Sequence, residues 1–225
     1  IDASRCAVQT VASIKSALDY LALMGYGMAM MYTEDTVELA ERPFFGYMRG
    51  RYTKDELRAV DDYAYDYGIE VIPSFDSPGH MNYAVKKYNE HYGADIGNYF
   101  HKNGKRSIVQ GSSIPNEATQ KSFSRGIDIS NPEAIKFAHA LLTEYGELFR
   151  SLGAKSFDIG GDELLGFGES IDATLSKWQN LDHWDTHAKK LTANENAVAY
   201  DAFILYMNDI AAMMRSIGYE KILMW

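Results

Sequence analysis

The 225 residues predict an α/β protein built on a parallel sheet, and within that class a closed (β/α)8 TIM barrel rather than an open sheet. Three observations carry the prediction. Four segments repeat one order: helix, glycine stop, short turn, apolar run, then acidic or aromatic residues. The apolar runs are short and nearly continuous, as in parallel strands buried on both faces. Acids and aromatics close several different runs, which is how a barrel builds one mouth from many strand ends. No Gly-x-Gly-x-x-Gly or phosphate-loop pattern follows any run, and this weighs against a nucleotide-binding open sheet.

Each element has a physical reason. The segment Asp2 to Arg5 reads as the end of a first strand. Val11, Ile14, Ala17, Leu18, Leu21 and Ala22 form a helical stripe that stops at Gly25. A strand over 27–32 follows, and then Glu34 and Asp35. Thr53 and Glu56 make a capping box ahead of Leu57, Val60, Tyr63, Ala64 and Tyr67, again at helical spacing. Gly68 ends that helix, and a strand over 69–73 leads to Asp76. Asn131 caps a third helix whose first residue is Pro132. Its stripe is Ile135, Ala138, Leu141, Leu142, Tyr145, Leu148 and Phe149. Gly153 closes it, and a strand over 154–159 leads to Gly160, Gly161, Asp162 and Glu163. Phe203, Ile204, Met207, Ile210, Ala211 and Met214 mark the last helix, followed by Gly218, a strand over 219–224 and Trp225. The stripes are core and carry no functional weight.

These elements amount to four complete strands plus the first. A full eight-stranded barrel takes about 250 residues or more. Residues 1–225 are therefore expected to form part of one barrel domain, strands one to five, with further strands and any other domains outside it. The formal net charge of −9 argues against nucleic-acid or anionic-membrane partners. A single cysteine, Cys6, excludes an internal disulfide framework. No run of 18 or more apolar residues reads as a membrane span. Two stretches break the regular order. Residues 88–125 and 164–194 are polar and weakly periodic, the second carrying Trp178, His183, Trp184 and His187. Both are expected as long βα loops over the barrel mouth, where such loops shape a substrate site.

The densest chemistry lies in Ser156-Phe157-Asp158-Ile159-Gly160-Gly161-Asp162-Glu163. Adjacent carboxylates repel, and burying both is costly unless something uses them. The two glycines allow a sharp turn and close approach of a ligand. The plain alternative is an acidic first turn of a helix, where Asp and Glu suit the helix dipole.

Taken together, the strand-end runs resemble glycoside hydrolase family 20, the β-N-acetylhexosaminidase family. Ile1-Asp2-Ala3-Ser4-Arg5 is similar to the family's Leu-Asp-x-Ser-Arg. Tyr32-Thr33-Glu34-Asp35 resembles Leu-Thr-Asp-Asp. Pro73-Ser74-Phe75-Asp76-Ser77-Pro78-Gly79-His80 resembles Pro-Glu-Ile-Asp-x-Pro-Gly-His. Ile127-Asp128-Ile129-Ser130-Asn131-Pro132-Glu133 resembles Leu-Asp-x-x-Asn-Pro-Glu. Phe157 to Glu163 resembles His-Ile-Gly-Gly-Asp-Glu, and Lys221 to Trp225 the fifth strand with its closing Trp. The matches occur in order from Ile1 to Trp225.

The resemblance implies a (β/α)8 fold and retaining, substrate-assisted hydrolysis of terminal β-linked N-acetylhexosamine in glycans, through an oxazolinium intermediate. It implies no cofactor and no metal. Glu163 is then the acid/base, and Asp162 orients the substrate's acetamido group. Asp76 and His80 support the site, His80 in a relay with the second-strand acid, which Glu34 matches most nearly with Asp35 adjacent. Trp225 becomes a wall against the acetamido methyl. Asp2 and Arg5 are expected as a buried structural ion pair. The expected partner is an oligosaccharide or glycoconjugate, and the expected location is secreted or at a bacterial cell surface. Release of one sugar and release of a disaccharide, as by a lacto-N-biosidase, both fit, as do GlcNAc and GalNAc. Two other classes remain: a barrel hydrolase holding a metal at Asp76, His80, Asp158, Asp162 and Glu163, and a barrel that binds carbohydrate without turnover.

Overall fold

In a computed structural model, the structure describes residues 1–4, 8–97, 100–102, 105–107, 126–161 and 182–225. The chain divides into two units. One comprises Ile1–Asp76, Ala140–Gly160 and Ala211–Trp225; the other comprises Ser77–His139 and Gly161–Ile210.

The first unit holds a parallel sheet of β1 (Met28–Tyr32), β2 (Glu70–Ser74), β5 (Ser156–Asp158) and β6 (Lys221–Leu223), in the spatial order β1-β2-β5-β6. Asp2 lies beside β1, bracketed by hydrogen bonds from Ala3 N to Tyr32 O at 2.8 Å and from Tyr32 N to Ile1 O at 3.0 Å. The four strands read between residues 27 and 224 are present, and at the expected first one Asp2 forms a single parallel bridge to Tyr32. β2 and β5, with neighbours on both sides, are almost wholly buried, whereas β1 and β6 are only partly so. Continuous apolar runs suit the first pair for that reason.

The helices start and stop where the local chemistry directs. α1 (Val11–Leu23) begins at Thr10, whose side chain accepts from Ser13 N. α2 (Lys54–Asp66) carries the full capping box, with Thr53 Oγ1 accepting from Glu56 N and Glu56 accepting from Thr53 N. Such a cap is worth about 1 kcal/mol. In α4 (Pro132–Leu152), Asn131 Oδ1 accepts from Glu133 N at 2.9 Å. Gly25, Gly68, Gly153 and Gly218, which end α1, α2, α4 and α6 (Ala199–Ile217), all have positive φ. α1 meets α2 through Tyr63, whose hydroxyl donates to Asp19 at 2.7 Å while Lys15 Nζ sits 4.9 Å from its ring centre.

A chain of aromatic contacts runs through the first unit. Phe45 meets Phe75, Phe75 meets Tyr145, Tyr145 meets Phe157, and Phe157 meets Tyr219, with ring centres 5.1 to 6.2 Å apart. Tyr145 is fully buried, and its hydroxyl lies 2.6 Å from that of Thr33. Burying each such ring contributes about 2 kcal/mol.

The second unit holds α3 (Asn82–Tyr92), the antiparallel pair β3 (Phe100–Lys102) and β4 (Lys105–Ser107), and α5 (Asp182–Thr192). Trp184 of α5 is fully buried and donates from Nε1 to Asp128 at 2.8 Å. Asp128 also accepts from the backbone N–H and hydroxyl of Ser130. Here the sequence reading is corrected. Residues 88–92 and 182–192, expected as mouth loops, are helical. Helical order there comes from tertiary burial, as at Trp184, which weak periodicity does not reveal.

Candidate active site

The carboxyl edge of the sheet gathers most of the residues that the sequence singles out. Beyond β1, Thr33 N continues the ladder to Ser74 O at 3.4 Å. The chain then turns through Glu34, whose φ of 44° is a conformation that side-chain-bearing residues rarely adopt. The Tyr32 hydroxyl donates to Glu34 Oε1 at 3.0 Å. Asp35 beside it is buried and lies 3.4 Å from Arg49. Burial first, and then the Glu34 charge, push the Asp35 carboxyl above its ordinary range, while Arg49 opposes them. Arg49 also donates to Ser4 O, tying this turn to the first strand.

Beyond β2, Phe75 N donates to Asp158 O at 3.0 Å and Asp76 is buried. Beyond β5, Ile159 N donates to Leu223 O at 2.9 Å, and the chain turns at Gly160 (φ 69°) and Gly161 (φ 100°). Gly160 touches Asp76 directly. A Cβ on it would lie 2.2 Å from Asp76 Oδ1 and 2.4 Å from Asp76 Cα, so only glycine fits. From the other side, Trp225 N donates to Gly160 O at 3.0 Å. One glycine thus joins the ends of β2, β5 and β6. Trp225 thus stands at the carboxyl edge, just beyond β6.

In the second unit, the segment after Asp76 contains a cis Ser77–Pro78 bond and then His80, half-buried with φ 48°. Pro78 O accepts from Ile127 N at 3.1 Å, and a Cβ on Gly126 would lie 1.8 Å from that oxygen. Two residues with side chains in the left-handed region, Glu34 and His80, are among the candidates read from sequence. Such conformations cost about 1–3 kcal/mol each and persist where the surroundings impose them.

The structure thus brings Asp76, the Gly160 turn and Trp225 together, and sets Glu34 beside Asp35. His80 belongs to the second unit. Asp162 and Glu163 lie outside the described residues, as do Arg5, Cys6 and Trp178. Asp2 accepts from Ser4 N and Oγ, and its expected pairing with Arg5 falls on a residue outside the described ones. Among the described residues, no three His, Cys, Asp or Glu gather as a metal site, and no helix is long and apolar enough to cross a membrane. The sequence reading missed Ser74, Arg49 and Tyr145 as parts of this edge. Asp158 entered it only as a metal candidate. A polar residue inside an apolar run, as at Ser74 and Asp158, is the signal that could have found two of them.

Parallel strands joined by helices, with acids and a tryptophan at the carboxyl ends, define part of a (β/α)8 barrel of the glycosidase kind. The chain belongs to glycosyl hydrolase family 20, whose catalytic-domain model matches residues 22–225. Among curated relatives, it is 32% identical over 169 residues to a lacto-N-biosidase of Bifidobacterium bifidum, a match covering 75% of this chain and 12% of that protein. It is 29% identical over 177 residues to beta-hexosaminidase subunit A1 of Dictyostelium discoideum, covering 76% of this chain and 25% of the relative. The chain therefore spans a quarter or less of these two proteins. The crystal structure of a Flavobacterium johnsoniae chitobiase superposes with a TM-score of 0.67 at 26% identity, covering 98% of this chain and 30% of the chitobiase chain. A pneumococcal exo-β-D-N-acetylglucosaminidase module shares the fold, with a TM-score of 0.63 at 20% identity, covering 98% of this chain and 51% of that one.

Proposed function

We propose that the protein hydrolyses terminal β-linked N-acetylhexosamine-containing glycans with retention, using the substrate's own acetamido group as nucleophile. The observation that carries this reading is the Gly160 junction. It sets buried Asp76 against the turn that leads directly to Asp162 and Glu163, and ties that turn to Trp225. Two adjacent acids seldom straddle a glycosidic bond as an acid and a protein nucleophile about 5 Å apart do. Adjacency suits the substrate-assisted route, which needs one acid/base and one carboxylate for the acetamido group.

In that route Glu163 donates a proton to the leaving oxygen as the acetamido oxygen bonds to the anomeric carbon. The C–O bond to the leaving group breaks, and an oxazolinium ion forms. Asp162 accepts from the acetamido N–H and offsets the developing positive charge. Glu163, now a carboxylate, takes a proton from water as the water oxygen attacks the anomeric carbon from the face the leaving group vacated. The acetamido group is restored and the configuration retained. Trp225 offers an aromatic wall to the acetamido methyl. By likeness to the family, His80 and Glu34 are each supporting residues. No cofactor enters these steps.

Identity to a lacto-N-biosidase favours a second reading, in which the same chemistry releases a disaccharide. The test assays the intact protein on p-nitrophenyl N-acetyl-β-glucosaminide and p-nitrophenyl lacto-N-bioside, with Glu163→Gln beside the wild type. We expect turnover of one substrate, and a loss in Glu163→Gln of about a thousandfold. Turnover of the variant within a few-fold of wild type would overturn the assignment of Glu163. Silence of the wild type on both substrates favours a binding role.

A further inference from the structure

Two buried polar side chains at the carboxyl edge take no part in the steps above. Ser74 ends β2 and Asp158 ends β5, and they are register partners across the two strands. Ser74 Oγ donates to Asp158 Oδ2 at 2.5 Å. Asp158 Oδ1 accepts from the backbone N–H of Gly160 at 3.3 Å. The first distance is that of a short O–H···O hydrogen bond. Both residues stand where the chain departs from the family patterns: Ser74 replaces Glu in Pro-Glu-Ile-Asp, and Asp158 replaces His in His-Ile-Gly-Gly-Asp-Glu. The two departures face each other and form one hydrogen-bonded pair.

The chemistry of the pair fits its location. A carboxylate has two acceptor oxygens, so Asp158 serves the Ser74 hydroxyl and the Gly160 N–H together. Gly160 begins a left-handed turn, and Asp162 and Glu163 follow it directly. Removing the carboxylate leaves two buried donors unpaired at the base of that turn.

We propose that Asp158 is a positioning residue: with Ser74 as its donor, its carboxylate fixes the Gly160–Gly161 turn and so aims Asp162 and Glu163 at the substrate. The proposal rests on the reading of those two acids as the reacting pair. Misplacing Glu163 harms a substrate that needs its leaving oxygen protonated far more than one whose leaving group departs as a stable phenolate.

The test uses the intact protein with Asp158→Ala, Asp158→Asn and Ser74→Ala, on a 4-methoxyphenyl and a 2,4-dinitrophenyl N-acetyl-β-glucosaminide. For Asp158→Ala we expect kcat/KM to fall about a hundredfold on the first substrate and less than about tenfold on the second. Asp158→Asn, which keeps one acceptor oxygen, should regain about tenfold of the loss on the first, and Ser74→Ala should fall in between. Equal losses on both substrates with unchanged exchange over 156–163 mean that Asp158 only holds the protein folded, and overturn the proposal. Amide exchange in a peptide spanning 156–163, read by mass spectrometry, decides the turn without activity. Faster exchange there in Asp158→Ala, with other peptides unchanged, supports the proposal, and unchanged exchange overturns it. A wild type that cleaves neither substrate sinks the proposed function and leaves the exchange result standing.

Discussion

The two ends of the sheet use the same residue for opposite purposes. At the amino end, Gly25, Gly68, Gly153 and Gly218 stop helices with positive φ. A Cβ on Gly25 or Gly68 would meet nothing within 4 Å, and the nearest atoms at Gly153 and Gly218 are 3.8 and 3.3 Å away, both in side chains. These glycines turn the chain and do nothing else. At the carboxyl end, Gly160 also has positive φ, but the space its missing side chain leaves is filled by Asp76. Gly46 repeats the pattern, since a Cβ there would lie 1.9 Å from Asp35 O. One end needs glycine for its dihedral angles. The other needs it also because groups must meet where a Cβ would stand.

The sharpest way to break this comparison is alanine at one glycine of each end. Gly160→Ala should be the most damaging change, because Asp76 must move by more than 1 Å to clear a Cβ. A displacement of that size at a reacting centre costs on the order of a hundredfold in kcat. Thermal unfolding measured alongside should show a lowered Tm, since backbone as well as side chain is in the way. Wild-type kcat in Gly160→Ala would mean that the contact with Asp76 is incidental to catalysis.

Gly68→Ala is the matched change at the amino end. It keeps φ near 70° with no clash, so the cost is that of placing a side chain in the left-handed region, about 1 kcal/mol. Tm should fall by roughly 3 °C. kcat should stay within about twofold of wild type, because nothing at Gly68 touches the carboxyl edge. A larger loss of activity than of stability at Gly68 would erase the distinction between the two ends.

The same contrast explains what the sequence disclosed. The amino-end turns, the caps at Thr53 and Asn131, and the strands were legible because each follows from local chemistry: a positive φ, an orphan N–H, an apolar run. The first strand was legible from only a few residues around Asp2. At the carboxyl end, sequence picked out Glu34, Asp35, Asp76 and Trp225, and in the second unit His80, by residue type and by likeness to a family. It could not show that Ser74 reaches Asp158, that Arg49 faces Asp35, or that Tyr145 meets Thr33 across 112 positions. Two of those contacts join elements far apart in the chain, the Arg49–Asp35 contact closes one irregular loop, and no periodicity encodes any of them. Trp184 shows the converse. A tryptophan in a polar stretch looked like a mouth loop, yet it is a buried anchor for Asp128.

Asp35 sharpens the comparison from the side of stability, with the smallest expected effect. If the carboxyl edge holds groups for chemistry at the expense of folding, neutralising a buried acid there should stabilise the protein. Burial is the main cause that raises the Asp35 pKa above its unfolded value, with Glu34 adding to it and Arg49 opposing. An acid with a raised pKa binds its proton more tightly in the folded state. Its favourable contribution is full below the unfolded pKa of about 3.9, and is lost as pH climbs through the folded value. At neutral pH the ionised carboxylate is therefore a net cost, and Asp35→Asn removes the titration while keeping the shape. The variant's gain in unfolding free energy, measured by urea titration, should be negligible near pH 3.5 and should grow towards pH 7. A gain that shrinks with rising pH would show instead that the Arg49 pair outweighs burial, and that this acid serves the fold.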